Sequence, residues 1–420
     1  MLIFFQNLFY SPTARCTQDA CAPFVKLSLF IQVESHPNAK HIQSLSDIFS
    51  GDEYMRKIFA PIIVLFFFAN AFAQVNPLPQ LADDYLKNGN YYYDKREYLR
   101  AINNYTKAIT MDPKAEVAFF NRGNSYKALG KLDLAIADYT QAVKLNPNFV
   151  QAFFNRATTY IEKNNDALAI ADFTQVIKLK SDMTEAYYSR GVAYKNRGDY
   201  DNAIKDFTQA ISFNPDTATY NNRGTAYYLK KDYENSIADF TEAIRLQPEF
   251  PKAYNNRGLA QQAQGNHREA IDDFTRALTL EPKATDIFFF RGSSYFAIRE
   301  YEKAIADLSQ TIALPKEDTK EAFYIRGLSY LALKSNDLAI ADFSKLITLN
   351  AKDARAFNNR GTAYLRKGDA ARAIADFTQA ITLNPRYAVA YKNRALAYRK
   401  IGKEDLATID ERKAKELEEK

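Results

Sequence analysis

EVAFFNRGNSYKALGKLDLAIADYTQAVKLNPNF, residues 116–149, contains two helical patterns with a turn between them and a stop at the end. From Glu116 to Lys127, the residues Phe119, Gly123 and Tyr126 fall four and three apart, so they share one helical face. Leu129-Gly130-Lys131 then supplies a turn. From Leu134 to Leu145, a second helix sets Ala135, Tyr139 and Ala142 on one face. Asn146-Pro147 ends it, since proline disfavours helix in the residue before it and asparagine tolerates a left-handed cap. The stretch reads as an antiparallel helix pair that buries one face against a neighbour.

The same text recurs outward in both directions. NRGNSYKALG (121–130), SRGVAYKNRG (189–198), NRGTAYYLKK (222–231), NRGLAQQAQG (256–265) and NRGTAYLRKG (359–368) share an Arg-Gly pair, and each is followed by a version of AIADFTQAI. The eighth position of each unit is Gly89, Gly123, Ala157, Gly191, Gly224, Gly258, Gly292, Gly327, Gly361 and Ala395, at spacings of 33 to 35 residues. Ten units over residues 82–420 leave almost no room for another domain. Composition agrees: only 14 Gly and 14 Pro punctuate 420 residues, and the aromatics, 14% of the chain, include no Trp.

This pattern resembles the tetratricopeptide repeat over residues 82–420. Small residues recur where two helices must approach: glycine at position eight, and alanine at position twenty (Ala101, Ala135, Ala169, Ala203, Ala270, Ala304, Ala339, Ala373, Ala407). An aromatic at position twenty-four (Tyr105, Tyr139, Phe173, Phe207, Phe240, Phe274, Phe343, Phe377) fills the space between units. Departures are Ser236 for alanine, Leu308 for the aromatic, Ser181 and Ala351 for the usual proline, and Tyr or Phe for the family's Trp at position four. The resemblance implies an all-α fold, a right-handed superhelical solenoid of about ten stacked antiparallel helix pairs.

A second series is less generic. Arg122, Arg156, Arg190, Arg223, Arg257, Arg291, Arg326, Arg360 and Arg394 occupy position seven, and the same nine units carry Asp138, Asp172, Asp206, Asp239, Asp273, Asp307, Asp342, Asp376 and Asp410 at position twenty-three. The first unit has Asn88 and Asn104 instead. Their joint loss predicts a bidentate arginine–carboxylate contact across each helix pair. Nine identical copies suit a stacked scaffold better than an acid–base site.

Catalytic chemistry finds little footing. His267, in GNHREA, is the one histidine after residue 54 and is expected in a solvated turn. A Ser-His-Asp or Cys-His arrangement therefore has a single candidate base. Cys16 and Cys21 have no recognised zinc or redox spacing, and no Walker-type phosphate loop occurs. A net charge of +6, from 56 basic and 50 acidic residues spread along the chain, argues against nucleic acid. The reading is of a protein that is not an enzyme, with no cofactor, metal or small-molecule substrate.

Recognition remains. In the family the first helix of each unit lines a concave groove, and positions two, five, six, nine and twelve face it. The resemblance thus implies a groove of Phe120, Asn121 and Lys127; Phe154 and Asn155; Tyr188 and Lys195; Asn221, Asn222 and Tyr228; Asn255, Asn256 and Gln262; Phe289 and Phe296; Tyr324 and Leu331; Asn358 and Asn359; and Lys392, Asn393 and Arg399. Amides pair with a peptide backbone and aromatics supply pockets, which suits a peptide segment or a partner protein. Some of these aromatics serve equally well as padding between helices. Some family members clamp a C-terminal carboxylate, but no three consecutive units here reproduce that set of cations.

Upstream, residues 55–74 read MRKIFAPIIVLFFFANAFAQ. A basic start, an apolar run and Ala71-Phe72-Ala73 form the pattern of a signal peptide over 55–73, with cleavage between Ala73 and Gln74. The run is shorter than the ~20 apolar residues that span a bilayer. On this reading 1–54 is a non-native extension from a mis-assigned start, 74–81 is a linker containing VNPLPQ (75–80), and the protein is periplasmic or secreted, meeting the membrane only transiently. If residues 1–73 are retained, it is a membrane-anchored or cytosolic adaptor. A remote alternative is an enzyme acting on envelope polymers. At the other end, ATIDERKAKELEEK is expected to cap the last apolar face with polar surface.

Overall fold

The computed structural model describes residues 78–313 and 319–419. The chain falls into two compact units, Met1–Asp83 and Asp84–Lys420. Of the first, only the short stretch from Leu78 to Asp83 is described, and it belongs to a helix. The readings on residues 1–73, including the Ala73–Gln74 cleavage, lie outside the described residues.

All regular structure among the described residues is helical, in pairs. These are α1 (Leu78–Asp94) and α2 (Tyr98–Met111); α3 (Glu116–Ala128) and α4 (Leu132–Leu145); α5 (Val150–Glu162) and α6 (Asp166–Leu179); α7 (Thr184–Asn196) and α8 (Tyr200–Phe213); and α9 (Thr217–Leu229) and α10 (Tyr233–Leu246). They continue as α11 (Pro251–Ala263) and α12 (His267–Leu280); α13 (Thr285–Ala297) and α14 (Tyr301–Ala313); α15 (Lys320–Ala332) and α16 (Asn336–Leu349); α17 (Ala354–Arg366) and α18 (Ala370–Leu383); and α19 (Ala388–Lys400) and α20 (Glu404–Glu418). The all-α solenoid is as the repeat implied. Helix α1 begins at Leu78, inside the stretch read as linker, with Pro79 in its first turn, where a missing N–H costs nothing.

The pairing rests on close approach. A Cβ added to Gly258 would stand 2.7 Å from the Phe274 ring, and one added to Gly123 would stand 2.8 Å from that of Tyr139. Tyr139, Phe173, Phe207, Phe240, Phe274, Phe343 and Phe377 are wholly buried, as are the alanines of position twenty. Burial of one such ring contributes roughly 1.5–3 kcal/mol. Ser236 fits the alanine position because its hydroxyl donates to the Gly224 carbonyl at 2.8 Å.

Every first helix closes the same way. The fifteenth residue of each unit has φ between +56° and +89°: glycine in five units (Gly130, Gly198, Gly265, Gly368, Gly402) and Arg96, Asn164, Lys231, Arg299 and Lys334 in the others. Around Gly130, the Lys131 N–H reaches the Tyr126 carbonyl and the Gly130 N–H that of Lys127, both at 2.9 Å, which satisfies the helix's last carbonyls.

Two local expectations are corrected. Asn146 is extended (φ −129°), not left-handed; its side-chain oxygen accepts from the Asn148 N–H at 3.0 Å, an Asx turn that ends the helix without a left-handed residue. His267 is the first residue of α12 and is half-buried, not a solvated turn residue, because the second helix of each unit starts directly after the left-handed residue and its cap.

Candidate functional site

The arginine and aspartate of each unit meet as expected. All nine arginines place Nε and Nη2 on the two carboxylate oxygens at 2.7 to 2.9 Å. The hydrogen bonds that Arg122 donates to Asp138 raise its pKa above the usual value. The same guanidinium does two further things that the sequence reading missed. Its Nη1 donates to a hydroxyl of the preceding unit at 2.9 to 3.1 Å: Thr106, Thr140, Thr174, Thr208, Thr241, Thr275, Ser309, Ser344 and Thr378 in turn. It also lies 5.5 to 5.8 Å from the centroid of the position-four ring, from Phe119 to Tyr391. The recurring Thr or Ser at position twenty-five was the available signal. The arginines therefore belong to the seams between units.

First helices pack on the first helices of neighbouring units, from α3 on α5 to α17 on α19, and among the described residues no comparable packing joins second helices. A stack built this way has its first helices on the inside of the curve. On that inner face a chain of side-chain hydrogen bonds crosses the seams. Asn121 and Asn155 donate to Asn90 and Asn124 at 2.9 and 2.8 Å. Asn256 and Asn393 donate to Asn221 and Asn358 at 3.0 and 2.9 Å. Asn222 and Asn359 reach the hydroxyls of Tyr188 and Tyr324 at 3.1 and 3.3 Å. Asn358 is only 3% exposed beneath this network.

The series breaks where Ser189, Phe290 and Ile325 take position six. The Asn255 carbonyl oxygen, which an amide from the next unit could have met, is buried without a partner among the described residues. The aromatics divide likewise. Phe120 packs on Tyr139 and Phe149, Phe154 on Phe173, and Phe289 on Phe290. Tyr228 and Phe296 turn onto Tyr233 and Tyr301 of their own units. Leu331 is buried.

The inner-face cations are mostly engaged. Lys127 Nζ lies 2.8 Å from the Thr158 hydroxyl and 3.0 Å from Glu162. Gln262 donates to the Phe290 carbonyl (3.0 Å) and the Ser294 hydroxyl (2.8 Å). Lys195 Nζ meets the Asn222 oxygen at 2.6 Å, makes no ion pair among the described residues, and has its pKa lowered by burial. Arg355, missed as a hub, stacks 4.4 Å from the Tyr324 centroid and bonds the Asp353 carboxylate twice, at 3.0 and 3.2 Å, which raises its pKa. Lys392 pairs with Glu418 at 2.6 Å, and Arg399 with Glu404 (3.2 Å) and Glu411. These last pairs join the two helices of the tenth unit, where Glu411 occupies the position that is aromatic or Leu308 in the other nine units.

Between the first two units the inner face opens into a cleft of about 220 Å³, lined by Asn90, Tyr93, Asp94, Tyr105, Asn121 and Asn124. Among the described residues no group of three or more His, Cys, Asp or Glu is placed to hold a metal, and no helix is long and apolar enough to cross a membrane.

Sequence comparison gives four matching family profiles. Two described as "Tetratricopeptide repeat" cover 117–149, 184–217, 251–284 and 354–387, and 291–354; a third so described covers 150–183, and one described as "TPR repeat" covers 89–130 and 224–265. No curated protein matches the chain. Among solved structures, the C-terminal part of a TPR repeat-containing protein from Cytophaga hutchinsonii is similar at 21% identity and TM-score 0.50, covering 57% of this chain and 98% of that one. MamA matches at 28% identity, TM-score 0.38, over 39% and 96% of the two chains. YrrB, described as a TPR protein with an unusual peptide-binding site, matches at 18%, TM-score 0.40, over 44% and 95%.

Proposed function

The chain belongs to the tetratricopeptide repeat family, whose members are protein-interaction scaffolds, and on that premise we propose that its inner face holds an extended segment or a helix of a partner protein without catalysing a reaction. The observation that carries this reading is the inner face itself. It runs through successive first helices as a track of oriented amides, half-exposed aromatics and short polar side chains. Amides held by one bond keep further donor and acceptor capacity for a peptide backbone.

The test is selection of displayed twelve-residue peptides on the whole protein, followed by titration against surface variants. Val117→Arg and Lys252→Glu lie at exposed position-two sites of first helices; Leu134→Arg and Leu338→Arg lie at exposed sites of second helices. Selected peptides are expected to lose at least tenfold in affinity for the first pair and to keep it for the second. The reverse pattern moves the binding surface to the outer face.

The compartment follows from MRKIFAPIIVLFFFANAFAQ (55–74), which supports export to the cell envelope or beyond. Intact mass and N-terminal sequencing from the native host decide it. A chain starting at Gln74 supports export; one starting at Met1 replaces it with a membrane-anchored or cytosolic adaptor.

A further inference from the structure

We infer that the cleft between the first two units is a subsite for a primary ammonium group. Its chemistry is that of an acceptor. The Asn90 oxygen is consumed by the Tyr105 hydroxyl and the Asn121 amide, both at 2.9 Å. Donation to Asn90 leaves the carbonyl oxygen of Asn121, which lines the cleft, with its acceptor capacity unspent. Asp94, exposed at the mouth, makes no ion pair among the described residues. Tyr93 and Tyr105 complete the lining.

The molecule itself shows what belongs there. At the second seam the position-twelve side chain is Lys127, whose ammonium crosses to Thr158 and Glu162. At the fourth it is Lys195, whose ammonium crosses to Asn222, and at the sixth Gln262, whose amide N–H groups cross to Phe290 and Ser294. At the first seam position twelve is Tyr93, and its ring turns away to pack 5.5 Å from Tyr98. The space that an internal N–H donor fills at those three seams is thus left open at the first, beside a carboxylate that makes no ion pair among the described residues.

The ammonium has two sources, a lysine side chain of a segment lying along the inner face or a free polyamine. Only the first rests on the proposed function. The subsite is tested on the full chain with N-α-acetyl-lysine methylamide, spermidine and the neutral N-ε-acetylated lysine derivative, by titration calorimetry and saturation-transfer NMR. No partner protein is needed, so failure here leaves the inner-face reading standing, and failure of the displayed peptides leaves the subsite standing.

The two amines are expected to bind saturably, at least fivefold more weakly to Asp94→Asn and unchanged to Asp133→Asn, an exposed carboxylate on α4. Tyr93→Lys, which supplies the missing internal ammonium, is expected to abolish binding. Spermidine more than tenfold tighter than the lysine amide assigns the subsite to polyamines. In the opposite case, loss of binding when the lysine of a selected peptide becomes norleucine assigns it to a bound segment. Equal binding of the neutral derivative, or no change on Asp94→Asn in a protein with wild-type circular dichroism, overturns the proposal.

Discussion

Arg190 holds the Asp206 carboxylate with two parallel hydrogen bonds of 2.7 and 2.8 Å, and both side chains are largely removed from solvent (15% and 7% exposed). Replacing Asp206 by Asn leaves the guanidinium half-paired at a seam, and disruption of a buried pair by loss of one partner typically costs about 3–5 kcal/mol. In a stack of units the loss is local. Asp206→Asn is expected to lower the thermal midpoint and to raise hydrogen exchange first in α7 and α8. A change below about 0.5 kcal/mol would class the pair with exposed surface bridges.

Tyr105 and Tyr139 are buried, and burial first, then the charges of Tyr93 and nearby carboxylates, raises both phenols above the usual value near 10. A folded-state pKa raised above the unfolded one contributes stability that is present below about pH 10 and is lost as pH climbs toward the folded value. Alkaline titration is therefore expected to melt the first two units before the phenylalanine-sealed ones. Circular dichroism against pH checks this, with Tyr105→Phe and Tyr139→Phe together delaying the loss. An unshifted profile for that double variant contradicts it.

Lys231 and Arg299 sit at φ +64° and +66°, where a side chain carries a backbone penalty of roughly 1–2 kcal/mol. The added Cβ at the equivalent Gly130, Gly198 and Gly265 meets nothing within 4 Å, so the penalty is one of backbone and not of packing. Lys231→Gly and Arg299→Gly are each expected to stabilise by about 0.5–1 kcal/mol, net of the added unfolded-chain freedom of glycine. Chemical denaturation midpoints measure it, and Gly198→Ala should move the opposite way.

Glu411 bonds Arg399 where the interior units place an apolar ring or Leu308, and Leu396 stands 52% exposed on the same terminal face. Glu411→Phe removes the ion pair and gives the tenth unit the apolar surface of the other nine. Sedimentation velocity is expected to show stronger concentration-dependent self-association than that of the unaltered chain. Absence of association up to about 100 μM would mean that Lys392–Glu418 and the remaining charges suffice to keep the end closed.

The helix pairs were legible because their signals are local. Gly123, Ala135 and Tyr139 carry the spacing, and a period near 34 residues repeats it. Arg122–Asp138 was legible because Asn88 and Asn104 depart together in the first unit. The third partner, Thr106, was not, since its contact depends on how far one unit rises above the next. For the same reason Asn121 and Asn155 looked like open groove residues, when each already spends a donor on the unit before it. Lys392 and Arg399 were read as groove cations by analogy with interior units, and the geometry within the tenth helix pair binds them to Glu418 and Glu411. Asn146 misled through a true propensity applied to the wrong turn; the left-handed residue is Gly130.

The threefold grip of each position-seven arginine also has a direction. Arg257 takes its hydroxyl from Thr241, already behind it in the chain, and its ring and carboxylate from Tyr254 and Asp273 of its own unit. Nothing in the fastening waits for a unit still to be made. A chain leaving the ribosome N-terminus first can thus secure each helix pair to the finished part of the stack as soon as that pair emerges, and the first unit, with no predecessor to hold, is the one that carries Asn88 in place of the arginine.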